Sequence, residues 1–562
     1  MGVPPLALMA SSSYRVILNW DGAPHGYSPV PQTMEDFLHK VFAPTTGTAV
    51  DALFWCVGEH TTHWLGGELE LVGERTDRKY EDAARWTHAE NIRQMLERGE
   101  DPQQAIVDRG HELGLAVFGS MRMNDNHFEG AQPADLETMQ NVELTQLRKE
   151  HPQWLLGDST SKWFALSWNM AVPEVRANRI AHVREMAERY DWDGIELDWQ
   201  RHAFHLPADQ AHRLRYTLTD VQRSVRTLCD ELGQRRGRPL LLAVRVAGSV
   251  AQSMRQGYDL QAWLEEGLVD ILVPAGNAGT DDSIDVVEWK ALVQRCRSSA
   301  KVFPGTDSGI PRMTESPEQS PIGPEPAPHN EMLKSRGLGA RYWGEGADGM
   351  YIFNFHQGYQ VNKSMVDGSY RFNRELLTEL GSAQSLDRLD KLYVATQRVT
   401  KTDGAWQGAF DVDREFGQVP VPVLPTFSQR GAVVRILLGP EDCEPPVPGG
   451  SPPCEVTLRL RLEQWTHLDS VEVRWDGQTL PVPPPPPRAG AIIEVDFVRW
   501  LEFPLGGSAG TDLSAGSHQV EVILLERNPQ VTSPITLTDV EVLFDYGAPP
   551  TCGRLPSTGA KL

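Results

Sequence analysis

Between Tyr14 and about Gln360 short apolar runs alternate with amphipathic stretches, whereas beyond about Asp390 apolar and polar residues alternate with a two-residue period. The first texture is that of repeated βα units around a parallel sheet. It predicts eight strands: Tyr14–Asp21, Val50–Gly58, Ala116–Met123, either Trp163–Trp168 or Gly194–Trp199, Leu240–Val246, Val269–Pro274, Lys301–Gly305 and Gly349–Phe355. A helix is predicted from Pro173 to Tyr190, because a proline and Glu174 open it and Val175, Ile180, Val183, Met186 and Ala187 share one face. The stretch from Pro311 to Pro328, rich in Pro, Glu and Ser, reads as a βα loop overhanging the end of the sheet.

The second texture predicts strands at Gly431–Leu438, Glu455–Leu462, Ser470–Trp475, Ile492–Val498, His518–Leu525 and Ile535–Phe544, separated by turn residues and by the run Pro483–Pro487. No helical period survives there, so an antiparallel β-sandwich is expected. The fold class is α/β: a (β/α)8 barrel over residues 1–385, then a β-sandwich over 390–550. A chain of 562 residues exceeds the roughly 250–300 at which single cores stop growing, which agrees with two domains.

Composition narrows the partners. With 76 acidic and 53 basic residues the net charge is -23, a field that repels phosphate backbones and anionic lipid headgroups. Nucleic acid is therefore not expected as a partner, and no apolar run is long enough for a membrane span. The oligomeric state stays open. The first ten residues lack the basic and apolar regions of a secretory leader. An extracellular or periplasmic location is expected if a leader has been trimmed, and a cytoplasmic one otherwise. Leu555-Pro556-Ser557-Thr558-Gly559 matches a sortase-type pentapeptide without the apolar segment that gives it meaning. Cys443 and Cys454 flank a Pro/Gly-rich loop where a disulfide would close it. Sixteen tryptophans suit stacking on sugar C–H faces, although core packing accounts for many of them.

The chemistry concentrates at Asp193-Gly194-Ile195-Glu196-Leu197-Asp198-Trp199-Gln200. On a strand Ile195, Leu197 and Trp199 face one side and Glu196, Asp198 and Gln200 the other. Three polar groups cannot face apolar helices, so they point into the barrel, with Asp198 near the C-terminal rim where such barrels keep their active sites. Arg245, inward on the adjoining strand, needs a carboxylate; Glu196, the deeper of the two, is the expected partner, leaving Asp198 freer to react.

The same strand, with His202 four residues on, resembles the fourth strand of the alpha-amylase family, and the resemblance implies that Asp198 is the nucleophile; Glu196 departs from that family's arginine. It also resembles the family-18 chitinase signature, but Gln200 stands where that family has its catalytic glutamate. From about Tyr14 to Gln360 the chain is more similar to the bacterial family-10-like glycosyl hydrolases. Met121-Arg122-Met123-Asn124-Asp125-Asn126-His127, Pro173-Glu174-Val175-Arg176 and the fourth strand through His202 carry that likeness. It implies a barrel glycoside hydrolase.

A sugar site at the rim would draw on Asn19, Asp21, Glu59, His60, His63, Arg122, Asn124, Asp125, His127, Trp199, His202, His205, Arg245, Asn354 and His356. Glycoside hydrolysis needs two carboxyl groups. Asp198 is the first; Asp125, Asp307 and Glu59 compete for the second, Asp125 foremost, with Glu196 beside them. No cofactor motif is seen and no metal ligands are assigned. Two rivals stand: a carbohydrate-binding protein on a hydrolase-like barrel, suggested by Gln200, and a metal-dependent barrel hydrolase, suggested by the spacing of His60 and His63.

Overall fold

A computed structural model describes residues 14–20, 25, 28–58, 60–74, 79–128, 130–160, 164–276, 280–307, 327–353, 369–395, 418–425, 431–442, 453–481, 497–506 and 510–547. The predicted loop at 311–328 lies almost wholly outside them, as does Cys443.

Nine strands among the described residues form one parallel, curled sheet: β1 (Val16–Trp20), β2 (Val50–Cys56), β3 (Ala116–Arg122), β4 (Gly194–Asp198), β5 (Leu241–Ala247), β6 (Ile271–Ala275), β7 (Lys301–Val302), β8 (Gly305–Asp307) and β9 (Met350–Phe353). Their order is β7-β6-β5-β4-β3-β2-β1-β9-β8. The predicted seventh strand is split around Phe303-Pro304, its first piece pairing with β6 and its second with β9. Of the two choices for the fourth strand, Gly194–Asp198 is the strand; Trp168 makes only an isolated bridge to Leu155.

The alternation along these strands sorts two apolar layers. Ile195, Leu197, Val244 and Val246 pack outward in the large core shared with the helices. Ile17, Phe54, Phe118, Ala243, Val273, Tyr351 and Phe353 fill the inside of the curl. Burying residues on both faces of every strand is what the continuous apolar runs of parallel strands require. The helix predicted from Pro173 spans Pro173–Arg189 and buries Val175, Val183, Met186 and Ala187.

Beyond residue 390 the strands are antiparallel and fall in two sheets. One holds β10 (Lys391–Val394), β11 (Val421–Val423), β13 (Glu455–Glu463), β16 (Val498–Leu505) and β18 (Ile535–Asp545); the other holds β12 (Ala432–Leu438), β14 (Ser470–Trp475), β15 (Gln478–Leu480) and β17 (Gly516–Glu526). Leu458, Leu460, Val540 and Val542 of the first and Val434, Ile436, Val473 and Val520 of the second share one core. The strand expected at Ile492–Val498 falls mostly on residues outside the description, and the strand present is Val498–Leu505. Its Pro504 argues against a strand in sequence, but β16 ends the order of its sheet, where a missing N–H is tolerated.

Candidate active site

The parallel register fixes which inward side chains share a level. Arg122, Asp198 and Arg245 are level on β3, β4 and β5, and Ser120 and Glu196 are level one step deeper. All five are buried.

At the deeper level Glu196 is surrounded by donors. Asn19 Nδ2 stands 3.2 Å from Oε2, the Ser120 hydroxyl donates to the same oxygen, and the Tyr351 hydroxyl lies 2.6 Å from Oε1. Burial, joined by the charge of Asp198, pushes the Glu196 carboxyl up to about 7, and the Ser120 and Tyr351 hydroxyls only partly oppose this.

At the upper level the expected pairing is corrected. Arg245 faces Asp198, not Glu196: its Nη1 lies 3.0 and 3.2 Å from the two carboxylate oxygens. The level partner wins because a guanidinium reaching down to 196 would abandon a carboxylate at its own height. Arg245 Nη2 donates to the Gly276 carbonyl at 2.5 Å, and its guanidinium stacks 3.7 Å from the centre of the Phe353 ring. The backbone N–H groups of Gln200 and Arg201 donate to Asp198 Oδ1 at 3.0 and 2.8 Å. Asp198 is thus not the freer carboxylate; it is the more tightly held.

Asp125 sits beside them, held by one guanidinium and two imidazoles. Arg122 Nη1 is 2.9 Å from its Oδ2, and the Nδ1 atoms of His127 and His202 are 2.8 and 2.5 Å from its Oδ1. Burial alone would raise its pKa, but the two imidazoles hold it well below the usual carboxylate range. Asp125 is therefore not the group that keeps a proton, contrary to expectation. Burial pushes His202 down to about 3, against the pull of Asp125. Arg201 Nη2 lies 2.9 Å from His127 Nε2; because a guanidinium only donates, that nitrogen accepts and His127 Nδ1 carries the hydrogen facing Asp125. Asp125, His127 and His202 could converge on a metal ion, yet this tautomer leaves His127 no lone pair to offer there.

Other expected rim residues do structural work. Trp199 is buried outward against Tyr258 and Trp263, as its place in the alternation dictates, and cannot line a cleft. Asn124 spends its amide on the backbone of Trp168 and Phe204. His205 is buried with its Nε2 2.7 Å from the Trp199 carbonyl oxygen. His60 is buried with Nε2 2.6 Å from the Asp125 carbonyl oxygen and 3.2 Å from Arg148, rather than paired with His63. Asp21, Glu59, Asn354 and His356, and the side chain of Asp307, lie outside the described residues.

Sequence reasoning missed Ser120, Tyr351, Phe353 and Arg201. The first three were within reach: each alternates with an outward residue on a strand already identified, so each had to face the same interior as Glu196 and Asp198. Arg201 follows the end of its strand, where alternation no longer reports direction.

No protein-family model matches the chain, and no curated protein matches it. Among solved structures it is similar to a cell-surface-expressed multi-modular chitinase from a Paenibacillus species, at 11% identity and a TM-score of 0.38, covering 94% of this chain and 54% of that one. A glycoside hydrolase family 18 N-acetylglucosaminidase from Paenibacillus barengoltzii shares 11% identity at a TM-score of 0.33, covering 64% and 99% respectively. An alpha-amylase from Geobacillus thermoleovorans shares 10% identity at a TM-score of 0.32, covering 92% and 99%. The chain spans 57% of a cycloisomaltooligosaccharide glucanotransferase, also from a Paenibacillus species, to which it is similar at a TM-score of 0.29.

Proposed function

We propose that this chain is a glycoside hydrolase whose carboxyl pair is Glu196 and Asp198. The observation that carries the reading is the contrast between them on one strand: Asp198 is salt-bridged to Arg245, while Glu196, two residues deeper, is pushed up to about 7. A buried carboxyl raised to about 7, two residues from one paired to a guanidinium, is the arrangement that acid and charge-stabilising roles use. In this mechanism Glu196 gives its proton to the glycosidic oxygen as the bond from that oxygen to the anomeric carbon breaks. Asp198 faces the positive charge that develops on the carbon, and water then adds there and returns a proton to Glu196. Asp125 acts as a positioning residue through Arg122 and His127. The architecture that goes with this reading is a barrel closed through residues 301–307, whose two pieces pair with opposite ends of the strand order, followed by a sandwich domain from about residue 390.

A panel of polysaccharides and oligosaccharides with product analysis tests the activity. Glu196→Gln and Asp198→Asn should each lower turnover by orders of magnitude while oligosaccharide binding persists. Full activity in both variants would remove the assignment. The complete burial of both Glu196 and Asp198 favours a second reading, carbohydrate binding without catalysis, and binding with no product after long incubation would decide for it.

A further inference from the structure

We propose that His63, His88 and Glu143 hold a zinc ion, in a site separate from the carboxyl pair and independent of the hydrolase reading. The three come from different segments: His63 from the loop after β2, His88 from the helix Ala83–Glu97, and Glu143 from the stretch after β3. One ligand atom from each lies within 4.8 Å of the others.

The imidazoles themselves point to a missing partner. His63 is 3% exposed and neither of its ring nitrogens has a hydrogen-bond partner; His88 is 9% exposed and its Nδ1 has none. A neutral imidazole carries one N–H and one lone pair, and leaving both unanswered in the interior is what native structures avoid. Burial keeps His63 near 3 and His88 well below the usual histidine range, so both rings hold the lone pair that a metal needs.

His25 adds a neighbouring donor of defined tautomer. Its Nδ1 is 2.8 Å from Gln32 Oε1, and the Gln32 amide nitrogen is fixed the other way round by Ser28 and Asp36. The proton is therefore on Nδ1, and Nε2, buried and without a hydrogen-bond partner, keeps its lone pair. A ring nitrogen anchored to a side-chain oxygen with the other left bare is how ligating histidines are oriented. The His25 ring lies 5.9 Å from that of His88, and the His88 ring 5.3 Å from that of His63.

Glu143 is oriented in the same manner. Thr61 Oγ1 donates to its Oε2 at 2.6 Å, and its backbone N–H is held by Asn141. Imidazole nitrogen with one carboxylate oxygen is a donor set zinc favours. The ion would pin together the loops after β2 and β3, and the second of these carries Asp125 and His127.

The test is elemental analysis of the full chain purified without chelator, followed by zinc addition to the chelator-stripped protein. About one zinc per chain is expected, with an X-ray absorption spectrum of nitrogen and oxygen scatterers that includes imidazole, and a higher melting temperature on zinc addition. His63→Ala should abolish stoichiometric zinc. Glu143→Gln, which keeps the shape but replaces the charged oxygen donor by a neutral amide, should bind it more weakly, with the fold intact by circular dichroism. Zinc-free protein that neither binds added zinc nor gains thermal stability would overturn the proposal. So would zinc that survives His63→Ala but is lost in His127→Gln, since that metal would belong beside Asp125.

Discussion

Arg245 and Asp198 form a buried salt bridge at the same level of adjacent parallel strands, with side chains 1% and 0% exposed. Neither group has water to fall back on, so each is the condition for burying the other.

Removing the charge from Asp198 should therefore destabilise the protein. Asp198→Asn is expected to cost about 3–5 kcal/mol in urea unfolding, because it strands a buried guanidinium. Combining it with Arg245→Met should recover part of that loss, the coupling that a double-mutant cycle reads. Strict additivity of the two variants would mean that the pair is not energetically linked.

A second prediction concerns the packing of the helix Ala327–Gly344 on β10. A Cβ on Gly337 would lie 2.6 Å from the Leu392 carbonyl oxygen, a backbone atom that cannot swing aside. Gly337→Ala gains about 1 kcal/mol of helix propensity but forces an overpacked contact of roughly 1–3 kcal/mol. The contact should win, and the melting temperature should fall. A rise would show that helix and strand separate easily.

How much of this was legible follows from what alternation encodes. It gave the inward face of β4 and of Arg245 correctly, because side-chain direction is local to a strand. It could not say that Arg245 meets Asp198 rather than Glu196, because register between parallel strands is set by whole-sheet packing, about which two short runs are silent. Asp125 is expected in one site with Arg122, His127 and His202, and all three do meet it; Arg201, which reaches His127 and not Asp125, comes from a loop whose path no periodicity reports. The cluster of His25, His63, His88 and Glu143 draws on four separate segments, and of these only His63 is singled out by the sequence, as a rim residue and for a spacing to His60 that the fold does not use.

The raised Glu196 carboxyl makes a prediction about pH. Its folded value, about 7, lies above the ordinary 4.5, so the folded state binds the proton more tightly than the unfolded chain does. That stabilisation is complete below about 4.5 and is lost as pH rises through about 7, amounting to roughly 3 kcal/mol at the extreme. Unfolding free energy should carry this decline between those limits in the parent protein, and Glu196→Gln should flatten it. Any hydrolase activity should fall over the same upper limb as the acid is lost. An unchanged slope in Glu196→Gln would assign the titration to another group.

Tyr351 offers a way to move that limb without touching either carboxyl. Its hydroxyl, 2.6 Å from Glu196 Oε1, favours the charged carboxylate and so holds the Glu196 pKa down. Tyr351→Phe keeps the ring in the inner apolar layer beside Phe54 and removes only that donor. The Glu196 pKa should then move further up, carrying the midpoint of the stability decline and of the activity limb to higher pH. The protein should also lose about 1–3 kcal/mol above the transition, where the charged carboxylate has one donor fewer. Below it the loss should be smaller, because the protonated acid needs that donor less. A limb that moved down, or a loss that was larger at low pH than at high pH, would mean that the Tyr351 hydroxyl serves the protonated acid and that the proton-holding group lies elsewhere.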